Sequence, residues 1–293
     1  MSVITGEPVQ RARESSASVD AAQAARGFEE YRAHVGPADR YDVFSAVQFN
    51  LLTSLGLRDE HTLLDVGCGS LRAGRLFIPY LRPGHYFAIE PLPWLVQEGI
   101  EREMGADQVR IKRPTFSHDG DFTLTTFGRE FDFILAQSIF SHTSQAQMRR
   151  CFSEAKKALK PGGVFAATFF EGAENYEGDE WVAKSTYTMQ RLRELVEEQG
   201  LALTPIEWRH PDMQRWVLIH HPGAGVRLPE VTDTERAMRL EEQLTLSRQH
   251  LASIRNHPYV KFGMRVKFFL VWLAFERRRV ARWLRERLGG SKS

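Results

Sequence analysis

The sequence predicts an α/β fold in which helices cover both faces of a mostly parallel sheet, followed by a C-terminal helical extension. Three observations support this prediction. Short apolar segments alternate with helical patterns over most of the chain, as in repeated strand–helix–strand units. A glycine-rich turn, Gly67–Gly69, separates the first apolar segment from the helix after it. The last two predicted strands are too close in the chain for a crossover helix, so we expect a C-terminal antiparallel hairpin at one edge of the sheet.

The composition is that of an ordinary globular protein. The 293 residues are 42% hydrophobic and 26% charged, which suits one α/β domain with flanking segments. The formal net charge of +2 argues against a chain-wide nucleic-acid-binding surface. One of the two cysteines lies in the glycine turn, which favours a reducing, cytoplasmic setting over a structural disulfide. We expect no secretory signal, and no apolar run reaches the roughly 18–20 residues needed to cross a bilayer.

The N-terminal part of the chain combines a polar tail with a helical pattern. Residues 1–27 are rich in Ala, Ser, Arg and Gln, and we expect a flexible tail there. The segment Phe28–Leu57 is predicted to be helical, with an apolar stripe that packs on the sheet. The stripe consists of Val43, Val47, Leu51 and Leu55.

Five apolar segments predict the parallel part of the sheet, and two more predict the hairpin. Helical patterns connect the parallel segments, and Lys160–Gly163 forms a turn before the fifth. The third segment, Val109–Lys112, is the weakest. The predicted strands are Thr62–Val66, Tyr86–Ile89, Val109–Lys112, Phe131–Ala136, Val164–Phe170, Leu203–Trp208 and Arg215–His220, and the helices between them are Ala73–Leu81, Trp94–Met104, Gln145–Leu159 and Thr188–Gln199.

Beyond the α/β domain, which we place at 28–222, the sequence predicts two different helices. Residues 232–256 begin with a capping box and continue with heptad-like apolar spacing. Residues 259–288 combine nine basic residues within Lys261–Arg287 with the apolar run Phe268–Phe275. This basic amphipathic helix would either lie on an anionic membrane surface or pack on protein, including a second copy of the chain in a homodimer. We expect no nucleic-acid partner.

The turn after the first strand predicts a site for a cofactor without phosphate groups. Asp65 lies in the strand, and Gly67 and Gly69 let the backbone approach a ligand closely. A dinucleotide-binding turn needs a third glycine where this chain has Arg72, so the turn does not suit a nicotinamide cofactor. S-adenosylmethionine fits better, because a carboxylate can meet its ammonium group and backbone N–H groups can meet its carboxylate. Glu90, after the second strand, can accept hydrogen bonds from both ribose hydroxyls.

Two further strand ends complete the predicted cofactor pocket. After the third strand we prefer Asp121 to Asp119 for the adenine amino group, and Phe122 could stack on the adenine ring. The alternative is a plain surface turn, because Asp and Gly favour turns. The fourth strand ends beside the methyl group of the cofactor. The other predicted cofactor-binding residues are Cys68, Ser70, Arg72, Pro91, Gln137 and Ser138.

Six motifs of the chain occur together in one group of known proteins. They are Gln48–Leu52, Asp65–Arg72, Phe131–His142, Lys160–Gly163, Thr168–Glu171 and Trp208–Gln214. On these motifs the segment Tyr41–Ile219 resembles bacterial class I S-adenosylmethionine-dependent methyltransferases, and one subgroup with an Asp-Val-Gly-Cys-Gly-Ser-Leu-Arg turn in particular. The resemblance implies a Rossmann-like class I methyltransferase sheet and S-adenosylmethionine as the cofactor. It leaves the methyl acceptor open.

The loops after the fourth and fifth strands hold the residues that we predict on the acceptor side. His142 is the leading candidate for the general base that an oxygen acceptor needs. The alternative is that it caps the helix beginning near Ser144 or holds the loop. Glu171 could bind an acceptor hydroxyl or orient His142, and His210 in the late hairpin is a third candidate. The segment Gly172–Thr186 is predicted to be a lid or acceptor loop.

We predict no metal site, because the adjacent His220 and His221 would point to opposite sides of a strand. The expected activity is O-methylation of a small molecule or of a sugar or glycan hydroxyl. One alternative is methylation of protein or nucleic acid, although Gln137–Phe140 differs from the Asn/Asp-Pro-Pro-Tyr motif that favours nucleobase amino groups. The other is a cofactor-binding scaffold without catalysis, against which the intact turn and Glu90 argue.

Overall fold

The computed structural model describes residues 30–230, together with 244, 245 and 247–249. The chain divides into two compact units, Met1–Val231 and Thr232–Ser293. The five described residues of the second unit are helical and fall within the predicted helix 232–256. The predicted tail 1–27, the rest of that helix and the basic helix 259–288 lie outside the described residues.

One sheet organises the first unit. Its strands are β1 (Leu63–Val66), β2 (Tyr86–Ile89), β3 (Thr115–Ser117), β4 (Phe131–Ala136), β5 (Leu159–Glu171), β6 (Thr186–Tyr187), β7 (Ala202–Ile206) and β8 (Arg215–His220). The strand order is β3-β2-β1-β4-β5-β8-β7, and the short β6 pairs with β5 beside this path. All pairs among β1 to β6 are parallel, whereas β8 runs antiparallel to both β5 and β7. The predicted mostly parallel sheet with a C-terminal antiparallel hairpin is confirmed.

Helices connect the parallel strands and precede the first of them. Within residues 30–230 they are α1 (Glu30–His34), α2 (Tyr41–Ser54), α3 (Gly74–Tyr80), α4 (Pro93–Gly99), α5 (Ala106–Lys112), α6 (Gln145–Ala158) and α7 (Met189–Glu197). A π-helical turn continues α4 over Ile100–Met104, where the sequence predicts a single helix. Short 3₁₀ turns precede α2 and β4.

The sheet is buried on both faces, which explains why its central strands are apolar at almost every position. Successive side chains of a strand point to opposite faces, so β1 contributes to two separate cores. Leu64 and Val66 pack in the cluster that includes Phe152 of α6. Leu63 packs in the cluster that includes Phe77 of α3 and Leu51 of α2.

The predicted third strand is wrong. Val109–Lys112 belongs to α5, and the strand beside β2 is Thr115–Ser117. The alternation of Val109 and Ile111 with basic residues resembles a half-buried strand, but Ile111 is 53% exposed on the helix surface. A strand and a short surface helix therefore share this pattern, and only packing decides between them.

The predicted N-terminal helix is interrupted. The chain forms α1, breaks at Gly36-Pro37, and resumes as α2. The buried face of α2 is also rotated from the predicted stripe, because Val43 is 39% exposed whereas Phe44 is 3% exposed. The apolar spacing alone could not show that the aromatic positions of α2 face the core.

The fifth strand is longer than predicted. It includes Lys160–Gly163, where the pairing with β4 shifts its register. At its carboxyl end, Phe170 and Glu171 pair with β6, a short strand that the sequence does not predict. This pairing holds the end of the Gly172–Thr186 segment against β5.

Candidate functional site

The glycine turn lies where the carboxyl ends of β1, β2 and β4 meet. Gly67 has a φ of 71°, and a Cβ atom there would clash with Cδ1 of Ile139 in the loop after β4. Its N–H donates to the carbonyl of Ile89 at 2.8 Å. Glycine at position 67 is therefore required both by the backbone conformation and by the close approach of the two loops.

Glu90 holds the turn from the end of β2. Its Oε2 accepts a hydrogen bond from the N–H of Gly69 at 2.9 Å, and its Oε1 accepts one from the N–H of Leu92 at 3.0 Å. The side chain is 7% exposed, and burial raises the pKa of this carboxyl above its ordinary value. Each carboxylate oxygen keeps a free lone-pair direction, so the group remains able to accept hydrogen bonds from a diol. The neighbouring Pro91 is exposed.

Asp65 lies beneath the turn in a nearly water-free position. It is 3% exposed, and Oδ2 accepts a hydrogen bond from the hydroxyl of Tyr86 at 2.7 Å. Burial raises the pKa of Asp65 to about 6, with the hydrogen bond from Tyr86 acting in the opposite direction. Such a carboxyl group is stabilised in its charged form when a ligand brings a positive charge next to it.

The remaining predicted turn residues are also buried. Burial raises the pKa of the Cys68 thiol well above its ordinary value, so the thiol stays protonated. The hydroxyl of Tyr41 donates to the carbonyl of Ser70 at 2.8 Å. This contact fixes the turn to the start of α2.

Arg72 is a buried cation without a carboxylate partner in the described part of the chain. The side chain donates hydrogen bonds to the carbonyl of Val35 and to Oε1 of Gln137, and its guanidinium lies 4.5 Å from the ring centre of Phe44. Burial lowers the pKa of Arg72 to about 10, so it remains charged at neutral pH. A buried guanidinium in this state favours an anionic ligand.

Gln137 connects Arg72 to His210. The amide Nε2 of Gln137 lies 2.9 Å from Nε2 of His210. The Nδ1 atom of His210 accepts hydrogen bonds from the N–H groups of Asp212 and Gln214, both at 3.2 Å. Burial, and secondly the nearby Arg72 charge, lowers the pKa of His210 to about 3. Nδ1 is occupied by two backbone donors and burial keeps the ring neutral, so this geometry suits an orienting role for His210 better than proton transfer.

Ser138 belongs to a second buried network at the ends of β4 and β5. Its N–H donates to Oγ1 of Thr168 at 2.7 Å, and that hydroxyl donates to Oε1 of Gln214 at 2.6 Å. The amide of Gln214 in turn donates to Oγ of Ser138 at 2.8 Å. Ser138 has a φ of 60°, and this triangle of bonds holds it there. Thr168 and Gln214 were not predicted as site residues, although both lie within motifs that carry the resemblance.

His142 lies in the loop after β4 with one ring nitrogen engaged. Its Nδ1 lies 3.0 Å from the carbonyl oxygen of Val182 and donates to it, which leaves the lone pair on Nε2. The imidazole stacks on the indole of Trp181 with ring centres 5.3 Å apart and an angle of 19°. The helix α6 is capped by Ser144 with Gln147 in a capping box, so His142 is not its cap.

Glu171 lies at the end of β5 and is exposed. Its Oε2 is 3.3 Å from Nε of Arg215 on β8. The structure shows no contact between Glu171 and His142 among the described residues. The Gly172–Thr186 segment is tied to the loop after β4 by the N–H of Ser185, which donates to the carbonyl of Ser141 at 2.7 Å.

The loop after β3 has the features of a surface turn. Oδ1 of Asp119 accepts hydrogen bonds from the N–H groups of Asp121 and Thr123 at 2.6 and 3.2 Å. The carboxylate of Asp121 is exposed and lies 3.9 Å from Arg150 on α6. Phe122 has a φ of 58° and packs partly on the core. The structure thus places Asp121 apart from the buried network that joins Arg72, Gln137, Ser138 and His210.

Within the described ranges, no group of three or more His, Cys, Asp or Glu side chains is arranged to hold a metal ion. The helices in the same ranges are all too short or too polar to span a bilayer. Two fully buried hydroxyls flank His142 in sequence, those of Ser141 and Thr143, and neither has a hydrogen-bond partner among the described residues.

The sequence comparisons identify one domain. Residues 64–165 match the family model described as a methyltransferase domain. A comparison with curated proteins gives no match. The matched residues contain the turn, Glu90, Gln137 and His142.

Solved structures with a related fold are distant. The pyocyanin biosynthetic protein PhzM has 15% identity and a TM-score of 0.46 over 60% of this chain and 55% of its own, so this chain spans little more than half of it. A methyltransferase from Clostridium acetobutylicum has 14% identity and a TM-score of 0.46 over 62% and 92% of the two chains. Magnesium protoporphyrin IX methyltransferase from Synechocystis has 13% identity and a TM-score of 0.48 over 70% and 96%. The assignment of the fold rests on the strand order.

The match to a methyltransferase domain over residues 64–165 agrees with the domain predicted from the sequence. S-adenosylmethionine stays the predicted cofactor. The bacterial subgroup and the assignment of individual site residues stay predictions.

Proposed function

We propose that this chain, whose residues 64–165 form a methyltransferase domain, transfers a methyl group from S-adenosylmethionine to a hydroxyl of a small molecule or glycan. One observation supports the oxygen acceptor most strongly. His142 donates its Nδ1–H to a backbone carbonyl, so Nε2 presents a lone pair that can accept a proton. An alcohol is a weak nucleophile, and a base positioned in this way removes its proton as the new bond forms.

The contacts proposed for the methyl donor, S-adenosylmethionine, use side chains whose charge or hydrogen-bonding capacity is not fully taken up by the protein. Glu90 accepts hydrogen bonds from the ribose hydroxyls while it holds the N–H of Gly69. Arg72 binds the carboxylate of the amino acid end, since it is a buried cation without an anionic partner in the described part of the chain. Asp65 balances the ammonium group, directly or through water. We propose Cys68, Ser70, Gln137 and Ser138 as further lining residues on the same grounds of position.

On the acceptor side, the chain holds and deprotonates the hydroxyl. The bound cofactor supplies an electrophilic methyl group on a sulfonium centre. The residues of the chain bring the acceptor oxygen in line with that group, which is where most of the rate increase arises in such a displacement. Nε2 of His142 takes the hydroxyl proton. His210 is proposed to keep Gln137 in place, and Glu171 to bind a second acceptor group.

A matched pair of histidine variants tests the base. We expect His142→Ala to lower methyl transfer about 10²–10⁴-fold, because no side chain remains to accept the proton of the acceptor hydroxyl. The affinity for S-adenosylmethionine should stay unchanged. Transfer is measured from cofactor with a labelled methyl group into a cell extract, and binding by calorimetry. His85→Ala is the control, since His85 precedes β2 at the opposite end of the strands from the turn. Equal transfer by wild type and His142→Ala would remove His142 as the base.

The narrower subgroup is supported by the six sequence motifs alone. Two of them acquire a structural role that fits a shared site. The Asp65–Arg72 motif forms the turn and places the buried guanidinium. The Trp208–Gln214 motif places His210 and Gln214 against Gln137 and Ser138.

The basic C-terminal segment supports two proposals that one experiment separates. Its nine basic residues and apolar run suit an anionic membrane surface, and they equally suit packing in a homodimer. Flotation with anionic liposomes compares the full chain with a chain truncated after His257. Membrane contact predicts flotation of the full chain only. Equal flotation of both chains would contradict it, and a change in oligomeric state on truncation would support the homodimer.

A further inference from the structure

Trp181 presents a large aromatic face to solvent beside the proposed base. Its side chain is 51% exposed, although its indole stacks on the imidazole of His142 at 5.3 Å between ring centres. Two hydrogen bonds hold the stack, one from the backbone N–H of Val182 to the carbonyl of His142 at 2.9 Å and one from the side-chain Nδ1–H of His142 to the carbonyl of Val182 at 3.0 Å. Such a fixed and exposed indole is typical of a surface that binds a ligand.

The loop that carries Trp181 is strongly acidic. Between Gly172 and Ser185 it has four carboxylates and one lysine. All four carboxylates are exposed, and none of them makes an ion pair with another described residue. The single lysine, Lys184, lies over the ring of Phe170 at 4.3 Å. The four are Glu174, Glu177, Asp179 and Glu180.

These charges determine which acceptors can approach. A negatively charged acceptor would be repelled by the loop, and a positively charged one would be attracted. The face of an indole also attracts cations directly, most strongly when the cation is partly removed from water. The surface beside His142 therefore complements a cation in two independent ways.

We propose that Trp181 and the acidic loop form a subsite for a protonated amino group, so that the methyl acceptor is a hydroxylated ring bearing such a group, as in an amino sugar. This inference rests on the proposed function, because it assumes that the acceptor hydroxyl lies beside His142. The two rings are in direct contact, with centres 5.3 Å apart. The proposal places the sugar at their shared edge, with its ammonium group over the part of the indole that the imidazole does not cover and its hydroxyl at Nε2.

Three methyl glycosides that share one ring test the charge preference. They are those of glucosamine, N-acetylglucosamine and glucuronic acid, which carry a positive, zero and negative charge. Full-length protein is labelled with 5-fluorotryptophan, saturated with S-adenosylhomocysteine, and titrated while its fluorine NMR spectrum is recorded. Trp181→Phe assigns the Trp181 resonance. We expect that resonance to shift saturably with the amino glycoside, about tenfold more tightly than with the N-acetyl form, and less at high salt. Equal shifts with all three glycosides, or no shift with any, would overturn the proposal.

Charge variants separate the loop from the rest of the surface. The triple variant Glu177→Gln, Asp179→Asn and Glu180→Gln should weaken binding of the amino glycoside and leave that of the N-acetyl form unchanged. Asp107→Asn, on α5, removes an exposed carboxylate elsewhere and should change neither. An unchanged preference in the triple variant would contradict the acidic subsite.

The affinity for S-adenosylhomocysteine, measured by calorimetry, distinguishes this inference from the proposed function. Normal affinity without a charge preference would overturn the subsite alone. If the wild type shows no measurable affinity for S-adenosylhomocysteine, the proposed function is overturned, and the subsite with it.

Discussion

Asp65, which we propose as a cofactor-binding residue, has a buried carboxyl group that lowers the stability of the ligand-free fold. Among the described residues, the hydroxyl of Tyr86 donates the one side-chain hydrogen bond to its carboxylate, at 2.7 Å. Its pKa is raised from 3.8 to about 6 by burial. A group of this kind weakens the empty fold at neutral pH and becomes favourable when a cationic ligand group arrives.

The raised pKa predicts a pH dependence of stability with a definite sign. Between pH 4 and pH 6 the folded state binds the proton of Asp65 and the unfolded state does not, so stability falls as the pH rises. Relative to Asp65→Asn, the cofactor-free wild type should lose at most about 3 kcal/mol of unfolding free energy over this window. Urea unfolding at a series of pH values measures the difference.

Asp132 provides the control of opposite sign. Burial acts to raise its pKa, but the hydrogen bonds from Lys160 and Thr62 together outweigh burial and hold the pKa below its ordinary value. Its contribution to stability is therefore lost only as the pH falls below about 4. The difference between wild type and Asp132→Asn should stay flat from pH 4 to pH 7. A flat difference for Asp65 as well would contradict its raised pKa.

The positions of several proposed site residues could be predicted from the sequence because they follow from local chemistry. The turn needs glycine at position 67 for its backbone, and Glu90 follows a strand at the expected distance. The state of His210 could not be predicted, because it depends on burial and on Arg72, which is remote in the chain. Trp181 was missed for the same reason, since its stacking on His142 arises from loop packing.

At the scale of elements, the ends of β4 and β5 are joined by side chains instead of backbone bonds alone. Thr168 accepts from the N–H of Ser138 and donates to Gln214, and it is fully buried. Its hydroxyl therefore links a central strand to the hairpin strand β8. Loss of this link would leave two polar groups without partners in the core.

Thr168→Val tests this link with little change of shape. We expect a loss of about 1–3 kcal/mol in the free energy of unfolding, because a buried N–H and an amide oxygen lose their partners. The affinity for S-adenosylmethionine should fall too, since Ser138 is no longer held. Thr204→Val is the control, because the Thr204 hydroxyl bonds His220 at 3.0 Å away from the turn. If the two variants lose equal stability and neither loses cofactor affinity, the link has no role in the site.

The elements themselves were predictable to different degrees, for physical reasons. Central strands such as β2, β4 and β8 are buried on both faces, so their apolar runs mark their bounds clearly. The edge strand β3 is only three residues long, and its first residue is exposed. The nearby Val109–Ile111 pattern was therefore the stronger signal, although it belongs to the surface helix α5. β6 has two residues and depends entirely on pairing with β5.

At the largest scale, the strand order brings together the residues that we propose for binding the methyl donor and the methyl acceptor. β1 and β4 are neighbours, and β2 and β5 flank them. The loops after all four strands therefore meet at the carboxyl ends of the parallel strands. Alternation of strands and helices was enough to predict this arrangement. It could not predict that Val35, before the first strand, would contact Arg72 in the turn.

Calorimetric titration of S-adenosylmethionine tests the central claim most directly. Two arginine variants are compared, at glycines with similar positive φ values, so that each substitution strains the backbone to a similar degree. Gly67 and Gly84 have φ values of 71° and 77°, but a side chain at position 67 meets Ile139, whereas nothing lies within 4 Å of a Cβ atom at position 84. We predict that the wild type and Gly84→Arg each bind one cofactor per chain, and that Gly67→Arg binds none while both variants remain folded by circular dichroism. Binding to Gly67→Arg with wild-type affinity, or no binding to the wild type, would contradict the account.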